Sequence, residues 1–230
     1  MKIPMSSRLL TVAGFIRKGD RVADIGCDHG YLGIYLLRNG IAAHMIESDV
    51  AEGPLDSARR NALKFHTENA TTFCLSDGAK DIPRDFDVLV CAGMGADTIM
   101  SILGAAPWLK DGYRLILQCQ SKRPELRQWL YDYGYRICRE TLAQDGKFIY
   151  TVMEVVYDPG QGITPAQTYI TPQLLEDASP LLPAFYDRVR HGVKMTVEGM
   201  RRSENDQLPI YEQILRDLDE LEVQIHGNRE

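Results

Sequence analysis

Five short apolar runs alternate with amphipathic segments between residues 21 and 133, and this alternation restricts the fold to a parallel sheet with right-handed crossover helices. The runs are Arg21–Gly26, Ala42–Asp49, Thr71–Asp77, Phe86–Gly93 and Tyr113–Gln120. Each is partly β-branched and bounded by Gly, Asp or Pro, the pattern of a buried strand. The segments Gly30–Asn39, Pro54–His66, Ala96–Leu103 and Arg123–Tyr133 are predicted as helices. Pro54 and Pro124 fall in first turns, where the missing N–H costs nothing.

Past residue 135 the rhythm changes. Arg136–Gln144 and Phe148–Tyr157 are strand-like and joined at Asp145-Gly146-Lys147, a hairpin signal. An α/β parallel sheet closed by an antiparallel hairpin is the Rossmann-like, class I methyltransferase arrangement, whereas a nicotinamide-binding domain more often adds another parallel strand. Residues 158–180 form a Pro- and Gly-bearing connector. Leu181–Met200 and Leu208–Ile225 are predicted as an antiparallel helical hairpin turning at Ser203–Pro209. Leu208, Tyr211, Leu215, Leu218 and Ile225 follow a three-four spacing that Ile214 and Leu221 widen, so the hairpin is coiled-coil-like. The expected division is a catalytic domain over 1–160 and a connector with helical tail over 161–230.

Composition excludes several classes. The apolar fraction of 44% supports a packed core. No run is long enough for a membrane span or a signal peptide. The five cysteines lack CxxC or CxxH spacing, so reduced, buried thiols in a cytoplasmic protein are expected and no metal site is. The net charge of −6 argues mildly against nucleic acid, but residues 1–160 hold 19 Lys+Arg against 20 Asp+Glu, while 161–230 hold 7 against 12. The acidity is concentrated in the tail, which leaves room for a local basic face.

The densest chemistry lies in Asp24-Ile-Gly-Cys-Asp-His-Gly30, between the first strand and its helix. Gly26 permits a sharp turn and close ligand approach, and Gly30 opens the helix. The middle glycine of a GxGxxG cradle is replaced by Asp28. A pyrophosphate disfavours that carboxylate, whereas S-adenosylmethionine has no phosphate and carries an ammonium that Asp24 and Asp28 can meet. Asp49 ends the second strand about 20 residues beyond the glycine turn, where an acid meets ribose hydroxyls; Glu47 is on the same face, one step deeper. Asp77-Gly78 ends the third strand, either as an adenine reader or as a turn-forming pair. Ala92-Gly93-Met94-Gly95 ends the fourth, where small residues leave room for a flat target base. His29 either orients a ligand or makes one structural hydrogen bond in the turn.

Together these motifs resemble the bacterial tRNA (adenine-22-N1)-methyltransferases. The resemblance covers nearly the whole chain. It is carried by Ser7-Arg8-Leu9, the segment from Asp24 through Tyr31-Leu32, Asp49-Val-Ala-Glu-Gly-Pro54, Ala92-Gly-Met-Gly95, Leu115-Ile-Leu-Gln118 and Gly146-Lys-Phe148. Ala96 and Cys119 depart from that family's pattern near the target pocket. The resemblance implies methyl transfer from S-adenosylmethionine to N1 of an adenine in tRNA, with Tyr31, Gly93, Met94, Gln118 and Gln120 around the base and no general base named; a monomer is expected. The expected RNA contacts are Arg8, then Lys122, Arg123 and Arg127 after the fifth strand, then Arg188, Arg190, Lys194, Arg201 and Arg202 on the first tail helix. Several of the tail charges are expected to pair with Asp206, Glu212, Asp217, Asp219, Glu220 and Glu222 on the second. The rival readings are a small-molecule methyltransferase of the same fold, a nicotinamide oxidoreductase and a non-catalytic RNA-binding adaptor.

Overall fold

The computed structural model describes residues 2–203 and 205–227, so Glu204 in the predicted tail turn and residues 228–230 of the predicted second unit lie outside it. Strands β1 (Arg21–Ile25), β2 (His44–Asp49), β3 (Thr71–Leu75), β4 (Val88–Met94), β5 (Arg114–Cys119), β6 (Tyr135–Asp145) and β7 (Phe148–Tyr157) form one sheet in the order β3-β2-β1-β4-β5-β7-β6. The first five are parallel, and β7 inserts antiparallel between β5 and β6. The strand order reverses between β1 and β4, and a ligand crevice opens at the carboxyl ends of strands at such a reversal.

Helices α2 (Tyr31–Arg38), α3 (Glu52–Phe65), α4 (Ala96–Gly104) and α5 (Arg123–Asp132) supply the crossovers. One face of the sheet packs Ile25, Leu89 and Leu117 against Ile99, Leu103, Leu126 and Leu130. The other packs Val22, Val90, Ile116 and Val152 against Leu32, Leu36, Val12 and Phe15. α3 begins two residues before the prediction, so Pro54 is its third residue, still ahead of the first obligatory N–H donor.

Two short helices were not anticipated. α1 (Ser7–Ala13), capped by the Ser6 hydroxyl on Leu9 N–H, is too short to show periodicity. α6 (Pro172–Asp177) is capped by Thr171 within the connector.

Where α2 crosses β2, Gly33 faces the Glu47 carboxyl. A Cβ there would lie 1.9 Å from Glu47 Oε1 and 3.0 Å from Met45 Cε. Glu47 is buried and its Oε2 has no partner among the described residues. Burial, together with the nearby Asp24, pushes its carboxyl well above the usual carboxylate range. Gly33→Ala should therefore overpack this contact and cost about 1–3 kcal/mol. Urea unfolding should show a lower midpoint at unchanged slope; an unchanged midpoint would mean that the carboxyl swings clear.

The tail consists of α7 (Leu182–Arg202) and α8 (Leu208–His226), with the Tyr186 hydroxyl donating to Leu218 O at 2.8 Å. It packs on the end of the β6–β7 hairpin through a shared core that joins Leu142 and Ile149 to Ile170, Leu174, Phe185, Ile214 and Leu218. Among the described residues, no helix is long and apolar enough to cross a membrane.

Candidate active site

β1 delivers the chain to the crevice as a tight turn. Gly26 takes a φ of +75°, and Gly26 and Cys27 N–H donate to Ser48 O at 2.8 and 3.0 Å, which ties the turn to β2. Asp28 follows in the left-handed region, at a φ of +52°. Its N–H donates to Asp49 Oδ2 at 3.4 Å, while Asp49 Oδ1 accepts from Ala51 N–H at 3.0 Å. The Asp49 carboxylate is thus held between the glycine turn and the start of α3.

Two cavities meet at Gly26. One, of about 390 Å³, is lined by Asp49, Ser76, Asp77, Gly78, Met94 and Asp97. Its lining holds three carboxylates, which accept from hydroxyl and amino groups; Lys80 and Lys122 beside it pair with Asp77 and Asp97 and leave Asp49 as the carboxylate without a salt bridge among the described residues. The other, of about 330 Å³, is lined by Arg8, Asp24, Asp28, His29, Tyr31, Ala92, Gly93 and Gln120, with Leu9 and Leu32 as apolar wall. Met94 stands at the junction: a Cβ on Gly26 would come within 2.4 Å of Met94 Cε. The crevice therefore offers hydrogen-bond acceptors at one end and the Asp24 and Asp28 carboxyls, with Arg8, at the other.

Asp24 is only 6% exposed, and burial followed by repulsion from Asp49 raises its carboxyl from 3.8 to about 7. Burial also pushes up the Cys27 and Cys91 thiols, so neither is a nucleophile at neutral pH. Among the described residues, no group of three or more His, Cys, Asp or Glu side chains could hold a metal ion.

β4 carries a bulge at Gly93, which takes a φ of +86°. The bulge turns the Gly93 N–H toward Gln118 Oε1 at 3.0 Å, and Arg8 Nη1 donates to the same oxygen at 2.5 Å. Gln118 Nε2 donates to Cys119 O at 2.9 Å. Gln118 is fully buried and lines neither cavity, which corrects its expected place at a base edge. Its amide is spent on fixing the bulge and Arg8. Sequence reasoning gave Arg8 to RNA contact; it instead reaches into the second cavity beside Gly93.

Gly30 is also corrected. A Cβ there would meet Ala58 Cβ at 3.1 Å, so its role is close packing of the turn on α3. The other cofactor-side residues line the two cavities, and of the base-side set Tyr31, Gly93, Met94 and Gln120 do. Asp77 pairs with Lys80 at the rim, and His29 lies 3.6 Å from Asp28.

The basic residues separate into distinct groups. Arg127 is fully buried: Nη2 donates to Glu140 Oε1 at 2.5 Å, and Nη1 to Thr168 O and Tyr169 O at 2.6 and 3.1 Å. That overturns its assignment to RNA. Arg190 pairs with Asp219 and Glu222, Arg201 with Glu212 and Lys122 with Asp97. Among the described residues Arg123, Arg188, Lys194 and Arg202 form no ion pair.

Residues 5–153 match the family model described as a methyltransferase domain. The chain is 36% identical over 149 residues to the tRNA (adenine(22)-N(1))-methyltransferase of Bacillus subtilis, a match spanning 64% of this chain and 63% of that relative. It is 35% identical over 179 residues to a putative tRNA methyltransferase of Mycoplasma pneumoniae, spanning 74% and 81%. Among solved structures, a putative tRNA (m1A22) methyltransferase of Streptococcus pneumoniae, in complex with S-adenosyl-L-methionine, superposes with a TM-score of 0.82 at 25% identity, covering 97% of this chain and 100% of that one. With its sheet order, its glycine turn and the acid at the end of β2, the chain belongs to the methyltransferase-domain family.

Proposed function

We propose that this protein transfers a methyl group from S-adenosylmethionine to N1 of an adenine, position 22, in tRNA. The observation that carries the reading is the pair of cavities joined at Gly26 and Met94, carboxylate-lined on one side and walled by Ala92 and the Gly93 bulge on the other. When bound, the cofactor supplies an electrophilic methyl group. Asp49 accepts from its ribose hydroxyls, Asp77 from its adenine amino group, and Asp24 and Asp28 face its ammonium.

Neutral adenine keeps a lone pair at N1, so no residue has to remove a proton before attack. The rate then comes from position and from excluded water. The target base has to leave its stack to reach the second cavity. There Tyr31 and the Gly93 bulge flank it, and the exposed Gln120 amide offers both donors and an acceptor to its edge. Gln118 holds the bulge rigid from behind.

This assignment makes cofactor binding pH-dependent. The ionised form of Asp24 is the one that meets a cation, and in the free protein half of it is protonated near pH 7. Cofactor affinity should be flat above that pH and fall by up to tenfold per unit below it, as binding releases a proton. The stability of the free protein runs the opposite way. A folded pKa raised above the unfolded value contributes stability that is present below about pH 4 and lost as pH rises through 7. Calorimetry in buffers of different ionisation enthalpy reads the proton released; Asp24→Asn should abolish the release, and an unchanged pH profile in that variant would remove Asp24 from the ammonium site.

The transfer itself is tested by incubating the protein with methyl-labelled cofactor and total tRNA, then digesting to nucleosides. The label should appear as 1-methyladenosine. Label in a small molecule and not in tRNA would favour the small-molecule reading.

A further inference from the structure

Beside the second cavity, a groove of about 250 Å³ runs between the start of α5 and the middle of α7. Gln120 lines both, so the groove continues directly from the place assigned to the target base. Its walls include Arg123 and Lys122 on one side and Arg188 on the other, with Arg127 in its lining, and no Asp or Glu. Two of these cations are compensated, Lys122 by Asp97 and Arg127 by Glu140. Arg123 and Arg188 are not paired with any carboxylate among the described residues.

Arg123 is half-buried, its guanidinium 5.0 Å from the Phe185 ring, which fixes it against the tail. Burial and the adjacent Arg127 push its pKa down, more than the nearby Glu140 raises it. Arg127 Nε is buried in the same lining with no hydrogen-bond partner. The first turn of α5 has no side-chain cap, because Lys122 occupies the N-cap in the left-handed region. Its open N–H groups and positive dipole end add to the field of the groove. On the α7 side, Gly192 leaves open space where a side chain would stand, so a ligand can approach the helix closely.

We propose that this groove is a phosphodiester site, holding the tRNA backbone next to the adenine placed in the second cavity, with Arg123 and Arg188 as its two contacts. The proposal rests on the tRNA reading and adds to it a defined clamp at the joint between the catalytic domain and the tail. The clamp explains why Arg188 is kept near the β6–β7 turn, where its Nη1 donates to Lys147 O at 3.1 Å. A nucleotide leaving the catalytic cavity along this groove is contacted from both sides by groups that do not touch the base.

The test uses the full chain and a tRNA transcript. Arg188 is exposed, so Arg188→Gln should fold as the parent does, with unchanged cofactor affinity. Its KM for tRNA should rise about tenfold with little change in kcat, and the salt slope of tRNA binding should fall by roughly 0.7–0.9. Arg123→Gln should behave similarly, while Lys194→Gln, further along α7, should move KM much less. A second arm places single neutral methylphosphonate linkages on either side of adenosine 22. One of them should weaken binding to the parent and add nothing to the defect of Arg188→Gln. Parent methylation of tRNA, with Arg188→Gln matching the parent in KM and salt slope, would overturn the groove and leave the function standing. Failure of the parent to methylate any tRNA would overturn both.

Discussion

Arg127→Ala should lower folding stability by about 3–5 kcal/mol, because it leaves the Glu140 carboxylate buried without its counter-ion. Both side chains are essentially inaccessible, at 1% and 0% exposure, so solvent does not screen the pair. The consequence extends beyond one ion pair. Arg127 also holds the carbonyls of Thr168 and Tyr169, while Glu140 Oε2 accepts from the Thr171 hydroxyl that caps α6. One guanidinium therefore fastens α5 and β6 to the connector from which the tail departs. Chemical denaturation of Arg127→Ala should give a much lower midpoint. A loss below about 1 kcal/mol would mean that water enters and solvates Glu140. The double variant Arg127→Met with Glu140→Leu should recover the part of the loss due to the uncompensated charge, while the Thr168 and Tyr169 carbonyls and the Thr171 hydroxyl, left without these partners, keep it below the parent.

Asp49→Ala should weaken cofactor binding by about 1.5–3 kcal/mol, roughly 10- to 150-fold, through loss of a charge-assisted acceptor. Its two oxygens accept from Asp28 and Ala51 N–H, so the carboxylate is already oriented before any ligand arrives. Because it is part-exposed at the mouth of the crevice, the fold should survive. Calorimetric titration with S-adenosylmethionine reads the loss directly. Unchanged affinity in a folded variant would exclude Asp49 from the cofactor site.

The sheet was legible because its signals are local: each strand is a short apolar run, and the glycine turn and the acid ending β2 stand at a spacing set by one β-α-β unit. The same locality explains the errors. An arginine on an amphipathic helix reads alike whether it meets solvent, RNA or a buried acid. The partners of Arg127 lie 13, 41 and 42 residues away, and no pattern of the helix itself announces them. Gln118 is the penultimate residue of a buried strand, and only the Gly93 bulge, which depends on the pairing of β4 with β5, reveals that its oxygen is already occupied. The tail charges were legible as a set but not as pairs. Arg190 and Arg201 are matched with Asp219 and Glu212, so reversing them would unsettle the hairpin as well as any RNA contact. Removing residues 179–230 would likewise uncover Leu142 and Ile149, which share a core with the tail. Single changes at Arg188 and Lys194 separate these effects where truncation cannot.

The proposed target atom, N1 of adenosine 22, is checked by primer extension across a tRNA transcript that has been incubated with the protein and S-adenosylmethionine. A methyl group on N1 blocks the pairing edge, so reverse transcriptase should stop one nucleotide before position 22, and only when the cofactor is present. A transcript carrying guanosine at that position should give no stop and take up no labelled methyl group. Methyl incorporation with no stop at position 22, or equal incorporation into the guanosine transcript, would exclude N1 of adenosine 22 as the target.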